Sequence, residues 1–240
     1  MRYEDGIFYM DGLPRTACGA LTSPKQATEY VVAHGMVPFF SGEVPGLSIE
    51  ENTYSGDWWC EIPEIDPWEW RKILASEARV VYGKFFGGRA GFIDIDLFPL
   101  FCAYRRDGYD FDTLYQMGRV SQKEKAVMDA VGFEVRHNAQ IRKAAGFGKD
   151  GYKGYENVTV KLQDKTYLII RRFDQRVNKA GQPYGWTVAH LATPEACFGE
   201  DFVKSQYALP REKAKDLLME ELIRRNPEQA PEALEKMLGK

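Results

Sequence analysis

The sequence predicts an α+β fold that is mainly helical, and two observations lead to this prediction. Three short helical patterns follow one another between Ser121 and about residue 163, each with its own start or stop signal. Two runs rich in β-branched and aromatic residues come next, joined by a polar loop. The order helix, helix, helix, hairpin is that of a winged helix, a variant of the helix-turn-helix. We therefore expect winged helix-turn-helix units packed into one compact body.

The predicted helices are marked by capping residues and glycines. Ser121 and Glu124 have the spacing of a capping box, in which each side chain accepts a hydrogen bond from the other residue's free amide. The helix that follows carries apolar residues at helical spacing and stops at Gly132. A second helix is predicted over residues 137–145, and a third, weaker one over residues 152–163.

Residues 167–173 and 184–189 are the predicted strands of the hairpin, because they are rich in β-branched and aromatic side chains. Residues 178–183, with the sequence Asn-Lys-Ala-Gly-Gln-Pro, separate the two runs. Asparagine, glycine and proline are the residues that hairpin loops favour. These strands and their loop would form the wing.

The predicted organisation is therefore an N-terminal helical part (residues 1–120), a winged helix (residues 121–191) and C-terminal helices (residues 192–240). The N-terminal part contains an irregular acidic connection and is a candidate for a degenerate winged helix, so the number of such units stays open. Ser23-Pro24 and Asp66-Pro67 each supply a cap and a first-turn proline for a helix. Residues 92–98 alternate in polarity and predict a strand that ends at Pro99.

Basic residues are concentrated where the third helix and the wing are expected. Residues 133–190 contain eleven Lys or Arg against five Asp or Glu, whereas the first 66 residues contain three against eleven. Such asymmetry is a footprint of nucleic-acid binding, and the alternative is that these side chains only solvate a small domain. The candidate phosphate-binding residues are Lys153, Lys161, Arg171, Arg172, Arg176 and Lys179. Because successive strand residues point to opposite faces, Arg171 and Arg172 are not expected to share one groove.

Composition excludes several other classes of protein. A hydrophobic content of 44% in 240 residues is ample for a globular core. The four cysteines are far apart and no Cys/His spacing suits zinc, so no metal site is predicted. No cofactor is predicted for the protein. No apolar run approaches the ~20 residues that a membrane span needs, and the N-terminus lacks the pattern of a signal peptide. We expect a cytoplasmic protein.

Three short patterns have both a chemical and a structural interpretation. Residues 146–151 match GxGxxG, but a dinucleotide site requires a preceding strand, and the residues before them look helical. We therefore favour a turn between two helices. Asp94 and Asp96 would lie about 7 Å apart on one strand face, either as an acid–base pair or as exposed acids that favour solubility. Tryptophans that could stack on bases, but that more often belong to a core or an interface, are Trp58, Trp59, Trp68 and Trp70.

Three segments carry a resemblance to a known family. They are residues 66–71 (Asp-Pro-Trp-Glu-Trp-Arg), residues 81–86 (Val-Tyr-Gly-Lys-Phe-Phe) and Phe98-Pro99. Together with the winged-helix order after Ser121, they resemble the AlkZ-related branch of the AlkZ-like superfamily of winged-helix DNA glycosylases. The similarity covers roughly residues 25–238, and its motifs are aromatic and structural more than chemical.

The resemblance implies a tandem winged-helix fold and a base-removal reaction. The residues at the positions of the reaction's motif argue against that reaction in this chain. Active members of the superfamily remove bulky alkylated or crosslinked bases from DNA without a metal or an organic cofactor. They position a water molecule with a Gln-x-Gln or Gln-x-Asp motif that follows Gly-x-Val. The matching segment here is residues 35–40, in which Pro38 and Phe40 stand where the two polar residues would be and Phe39 lies between them. Neither side chain can orient water.

Three functions remain open from the sequence. The leading hypothesis is a winged-helix protein that binds nucleic acid, with double-stranded DNA as the candidate partner, and that has no glycosylase activity. The choice between DNA and RNA, and the oligomeric state, stay open. A second is a diverged glycosylase acting on alkylated bases through Asp94, Asp96 or Glu77. A third is a scaffold that binds a protein or a small ligand through the acidic first 66 residues and their tryptophan pair.

Overall fold

The computed structural model describes residues 2–4, 7–10, 12–60, 62–178 and 180–239 of the chain. The chain divides into two compact units, Met1–Phe98 with Lys215–Lys240, and Pro99–Ala214. Helices and antiparallel strands occur in both units, which confirms the predicted α+β class. No helix in the described part of the chain is long and apolar enough to cross a membrane.

The helices and strands follow one another along the chain in a mixed order. They are β1 (Arg2–Glu4), β2 (Ile7–Tyr9), α1 (Pro24–His34), β3 (Met36–Pro38), α2 (Pro67–Ser76), β4 (Val80–Phe86), β5 (Arg89–Asp94), α3 (Phe98–Arg106), α4 (Phe111–Gln116), α5 (Gln122–Val131), β6 (Arg136–His137), α6 (Asn138–Ala144), α7 (Tyr155–Asp164), β7 (Ile169–Asp174), β8 (Val188–Ala192), α8 (Pro194–Phe198), α9 (Glu200–Val203), α10 (Arg211–Arg225) and α11 (Pro231–Leu238). The three predicted helices after Ser121 correspond to α5, α6 and α7, and the predicted hairpin corresponds to β7 and β8.

The first unit contains three strands that pair antiparallel in the order β3–β5–β4. Val37 in β3 lies opposite Phe92 in β5, which in turn lies opposite Tyr82 in β4. Helices α1 and α2 pack against these strands and bury Val31 and Leu74. The apolar residues on these helices therefore supply the core that holds the sheet.

Both of these helices begin at the predicted capping residues. The Ser23 hydroxyl accepts a hydrogen bond from the Gln26 amide at 3.3 Å, and the Asp66 carboxylate accepts one from the Trp68 amide at 2.8 Å. A proline follows each cap, in the first turn, where a missing amide hydrogen costs nothing. These local bonds determine where the helices start.

The strand predicted at residues 92–98 ends earlier in the structure. β5 stops at Asp94, whose amide donates to the Gly35 carbonyl at 2.8 Å. The chain then turns, with the Leu97 amide donating to the Asp94 carbonyl at 3.0 Å, and α3 begins at Phe98. Pro99 therefore lies in the first turn of a helix, where its fixed φ is favourable, instead of merely stopping a strand.

The second unit contains α5, β6, α6, α7, β7 and β8 in that order. Its three strands form an antiparallel sheet in the order β7–β8–β6, in which His137 of β6 lies opposite His190 of β8. The predicted capping box at the start of α5 is present. The Ser121 hydroxyl accepts from the Glu124 amide at 3.2 Å, and the Glu124 carboxylate accepts from the Ser121 amide at 2.8 Å.

Two boundaries in this unit differ from the prediction. Helix α7 begins at Tyr155, after Gly154 with φ of +81°, a conformation that glycine adopts readily. Strand β8 begins at Val188, because the side-chain amide of Gln175 donates to the carbonyls of Tyr184 and Gly185 at 3.1 and 2.9 Å and holds them outside the ladder. The connection between β7 and β8, residues 175–187, is called the hairpin loop below.

Residues 146–151, which match GxGxxG, form the turn between α6 and α7. The Tyr152 amide donates to the Gly146 carbonyl at 2.9 Å, and the Gly148 amide donates to the Tyr152 carbonyl at 3.3 Å. A helix thus precedes the motif where a dinucleotide-binding fold requires a strand. This geometry agrees with the structural interpretation of the motif.

Candidate functional site

The hairpin loop exposes large apolar side chains together with an arginine. Trp186 is 74% exposed, and Val177 and Tyr184 are also exposed. Arg176 is exposed too, and its carbonyl accepts a hydrogen bond from the Tyr184 amide at 2.9 Å, which places the two residues side by side. Lys179, one of the predicted phosphate-binding residues, lies outside the described residues. The sequence interpretation missed the aromatic part of this surface, although tryptophan and tyrosine inside a Gly/Pro/Asn-rich loop are a readable signal.

The shape of the hairpin loop is held by polar side chains. The Asn178 side-chain oxygen accepts hydrogen bonds from the amides of Ala180 and Gln182 at 2.9 and 3.0 Å. Such an asparagine turn reduces the conformational freedom of a loop that has few buried contacts. With the Gln175 bonds described above, it presents the exposed side chains from a defined backbone.

The two arginines of β7 have different surroundings. The Arg172 guanidinium lies 3.4 Å from the Asp174 carboxylate, and both side chains are about half exposed. The Arg171 guanidinium lies 5.9 Å from the Phe198 ring centroid, and Arg171 is less exposed than its neighbour. Arg172 and Arg176 are therefore the arginines of the hairpin that solvent reaches most easily. The ladder has a register shift between Ile170 and Arg172, and the expectation that the two side chains of Arg171 and Arg172 point to opposite faces stays a prediction.

The two predicted lysines flank or belong to α7 and already make contacts within the protein. The Lys153 ammonium, just before the helix, donates to the Gly148 carbonyl at 2.6 Å and also to the Lys149 carbonyl. The Lys161 ammonium lies 3.1 Å from the buried Glu124 carboxylate of α5, although its own side chain is half exposed. Both lysines tie α7 to neighbouring segments, and Lys161 still presents charge to solvent.

Two histidines lie on β6 and β8, and His190 of β8 is the register partner of Arg172 in β7. The His190 Nε2 atom in β8 lies 3.3 Å from the Asp174 carboxylate in β7. Its ring contacts the His137 ring edge to face at a centroid distance of 5.1 Å. His190 is buried, and its Nδ1 atom has no hydrogen-bond partner among the described residues. Burial lowers the pKa of His190, and the nearby Asp174 carboxylate opposes that shift only in part.

Replacing His190 with glutamine is expected to make the stability of the protein less sensitive to acid. The folded state holds this imidazole neutral, whereas the unfolded chain protonates it near the ordinary pKa of about 6.5. Stability is therefore lost as pH falls through about 6.5 toward the lower pKa of the folded state. Urea unfolding of both proteins between about pH 8 and about pH 5 measures this, and parallel pH profiles for the two would contradict it.

The segment that matches the glycosylase motif lies in the first unit and is surrounded by aromatic rings. Pro38 ends β3, and the buried Phe39 ring lies 5.3 Å from Trp58 and 6.0 Å from Phe92 between ring centroids. Phe40 stacks on Trp58 with centroids 5.7 Å apart. Aromatic rings thus surround positions 38–40, and the Ser41 amide that follows them donates to the buried Glu50 carboxylate at 3.0 Å.

The three carboxylates considered for acid–base chemistry have partners in the first unit. Asp94 is buried and accepts a hydrogen bond from Arg225 at 2.8 Å. Asp96 is exposed and accepts one from Arg79 at 3.0 Å, and the Arg79 guanidinium also lies 3.8 Å from Asp94. The Glu77 carboxylate accepts a hydrogen bond from the Thr28 hydroxyl at 2.9 Å. Asp94 is the last residue of β5, and Asp96 lies in the turn that follows. The two aspartates therefore do not share the strand face that was expected for them. A catalytic role for these residues stays a prediction.

The tryptophans divide between the core and the surface. Trp58 and Trp70 are buried, as the core interpretation predicts, whereas Trp59 is 38% exposed and has φ of +61°. The Asp66 carboxylate accepts hydrogen bonds from the amides of Trp59 and Trp68 at 3.1 and 2.8 Å. The Trp59 and Trp68 rings lie 6.3 Å apart between centroids. One cap residue thereby brings two partly exposed tryptophans together.

The fold and these sites define an α+β protein with a basic, aromatic hairpin in one unit and an aromatic cluster around Phe39 and Phe40 in the other. A sequence model of the family described as AlkZ related matches residues 21–239, nearly the whole chain. The chain therefore belongs to the AlkZ-related family, which confirms the resemblance found in its motifs. Comparison with curated proteins and comparison with solved structures gave no significant match.

Proposed function

We propose that this protein binds double-stranded DNA through a winged helix formed by residues 121–191. The order α5–β6–α6–α7–β7–β8 and the strand order β7–β8–β6 support the winged-helix assignment. The observation that carries the proposal is the hairpin loop, in which Trp186 and Tyr184 are exposed and Tyr184 lies beside Arg176. Arginine contacts phosphates or the minor groove, and exposed apolar side chains contact sugars and bases.

Helix α7 is the proposed recognition helix. In helix-turn-helix proteins the second helix of the motif lies in the major groove, and its solvent-facing side chains reach base edges and phosphates. The exposed residues of α7 include Glu156, Asn157 and Lys161. Asparagine can read adenine through paired hydrogen bonds, and Lys161 adds a positive charge. Glu156 makes an ion pair with Arg142 at 3.3 Å, which reduces the repulsion of its carboxylate from a phosphate.

We further propose that the protein does not catalyse the glycosylase reaction of the AlkZ-like superfamily. The superfamily reaction needs polar side chains that hold water at the sugar carbon, and Pro38 and Phe40 have no group for that role. The Phe39 ring next to them offers none either, and the indole N–H of Trp58 already donates to the Thr53 hydroxyl at 3.0 Å. A DNA-binding scaffold that has lost its chemistry fits these observations, since function depends on a site and not on a fold.

Substituting Arg176 with alanine is expected to weaken duplex binding and to reduce its salt dependence. If Arg176 neutralises one phosphate, the slope of log K against log salt should become shallower by about 0.9. Arg224→Ala is the matched control, because Arg224 is an exposed arginine of the first unit that pairs with Glu221. Fluorescence anisotropy with a labelled duplex at rising salt measures both. Absence of binding at low salt, or an unchanged slope in Arg176→Ala, would contradict the proposed interface.

The absence of the reaction is tested with the same protein on duplex DNA that carries alkylated purines. No abasic sites should accumulate above the background of the DNA alone. Abasic sites that disappear in Asp94→Asn or Asp96→Asn would instead support the diverged glycosylase. If the protein bound neither intact nor alkylated DNA, the scaffold hypothesis would be favoured. The exposed surface of Trp59 and Trp68 would then be the candidate binding surface of the scaffold.

A further inference from the structure

An open cavity of about 580 Å³ lies in the second unit, at the opposite end of the β7–β8 ribbon from the hairpin loop. Tyr167, just before β7, and Thr193, just after β8, both line it. None of the described residues predicted to bind phosphates lines the cavity. Its volume falls within the range of about 300 to 1,000 Å³ that is typical of small-molecule sites. It is therefore separate from the proposed DNA interface.

Aromatic side chains form part of the wall and of the mouth of this cavity. The rings of Phe111 and Tyr167 meet edge to face inside it, at a centroid distance of 5.4 Å. Phe133, which follows the Gly132 cap of α5, also lines the cavity and is 88% exposed. A phenylalanine that solvent surrounds keeps the negative face of its ring available to a positively charged ligand.

The charged groups of the cavity leave an excess of negative charge. Its lining includes five carboxylates, those of Asp110, Asp112, Asp129, Glu195 and Glu200, and two cations, Arg106 and Lys204. Lys204 lies 2.8 Å from Asp110 and 2.5 Å from Glu200, and Arg106 bonds to Glu195. Lys125, outside the lining, pairs with Asp129 and lies 3.8 Å from Asp112. The five carboxylates therefore have three cations as partners, and each cation already contacts at least one carboxylate. Two negative charges remain uncompensated.

We propose that this cavity binds an organic ammonium ion with an apolar body. Its ammonium group would lie near the carboxylates of Asp112 and Asp129, and its apolar body would contact Met128, Phe111 and Phe133. An anion of the same size would meet the excess negative charge, and a neutral analogue would lose both the Coulombic attraction and the cation–π contact. This proposal does not depend on DNA binding.

Titration with three matched probes, followed by amide chemical shifts, tests the proposal. The probes are 2-phenylethylammonium, neutral 2-phenylethanol and anionic phenylacetate, which share one apolar body. We expect saturable shifts at Phe133, Gly132 and Asp112 with the ammonium probe, a weaker response at high salt, and no saturation with the other two. Equal binding of all three probes, tighter binding of phenylacetate, or no saturable shift with the ammonium probe would overturn the proposal.

Two substitutions separate the charge contribution from the ring contribution. Asp112→Asn removes one exposed charge about 6 Å from the ligand and should weaken the ammonium probe about threefold. Phe133→Leu keeps apolar surface but removes the aromatic face, and should weaken the probe roughly two- to fivefold. Asp150→Asn and Phe202→Leu are matched controls, since both residues are exposed in the same unit and neither lines the cavity. Wild-type affinity for the ammonium probe in both Asp112→Asn and Phe133→Leu would overturn the assignment. Both variants should bind duplex DNA as the wild-type protein does, so this result is independent of the DNA proposal.

Discussion

Replacing Arg225 with methionine is expected to lower the free energy of unfolding by about 3 kcal/mol or more, one of the two largest effects expected here. The Arg225 guanidinium donates to the Asp94 carboxylate at 2.8 Å and to the Val32 carbonyl at 2.7 Å. The side chain of Asp94 is only 1% exposed and that of Arg225 15%. Methionine fills much of the same volume but leaves the carboxylate buried beside Arg79 alone, which lies 3.8 Å away. Removing one partner of a buried ion pair costs more than the pair itself contributes, because the remaining charge is desolvated without compensation.

The neighbouring residue provides a close control for this prediction. Arg224 belongs to the same helix and also pairs with Glu221, but its side chain is largely exposed. Arg224→Met should therefore leave the urea midpoint almost unchanged, since exposed ion pairs contribute little. Asp94→Leu combined with Arg225→Met should recover part of the loss, because no uncompensated charge remains. Equal stability of Arg224→Met and Arg225→Met would show that the buried Asp94 carboxylate does not depend on Arg225 for its stability.

Replacing Arg106 with methionine is expected to destabilise the second unit by about 3 to 5 kcal/mol. The buried guanidinium donates to the Thr166 hydroxyl at 2.9 Å, to the Thr166 carbonyl at 2.5 Å and to the Tyr207 hydroxyl at 2.7 Å, and it forms an ion pair with Glu195. It also lies over the Tyr167 ring at 4.5 Å. One side chain thus satisfies polar groups from three separate segments, and methionine would leave them buried without donors.

A lysine at position 106 distinguishes charge from geometry. Lysine keeps the positive charge next to Glu195 but cannot reproduce the planar fork that reaches Thr166 and Tyr207 together. Arg106→Lys should therefore recover only part of the stability that Arg106→Met loses, as measured by urea unfolding followed by circular dichroism. If lysine restored full stability, the charge alone would matter. If Arg106→Met were as stable as the wild-type protein, the guanidinium network would have no structural role.

Local signals in the sequence determined much of the secondary structure. The Ser121–Glu124 capping box, the Ser23 cap and the Asp66 cap all form the hydrogen bonds that their spacing predicts. The order of three helices and a hairpin after Ser121 was also predictable, as was membership of the AlkZ-related family. Such features depend on residues within about four positions of one another or on retained motif residues, and both can be read without knowing the fold.

Boundaries were less predictable where side chains replaced the regular backbone bonds. The hairpin strand β8 starts at Val188 and not at residue 184, because Gln175 bonds to the loop backbone across the hairpin. Helix α3 starts at Phe98. The alternating pattern before Pro99 had predicted that a strand would extend to residue 98. Periodicity indicates the type of an element better than its ends, since the ends depend on contacts with other segments.

The tertiary structure alone decided what the chemically suggestive residues contact and how deeply they are buried. Asp94 meets Arg225 across 131 positions of sequence, and Arg106 meets Glu195 across 89. Trp58 is buried while the adjacent Trp59 is exposed, because the backbone of Trp59 has positive φ. Thus the sequence by itself determined the family, the helix starts and the apolar character of positions 38 and 40. Which carboxylates are buried in ion pairs, and where a cavity opens between aromatic and acidic side chains, follows from long-range packing that no local pattern encodes.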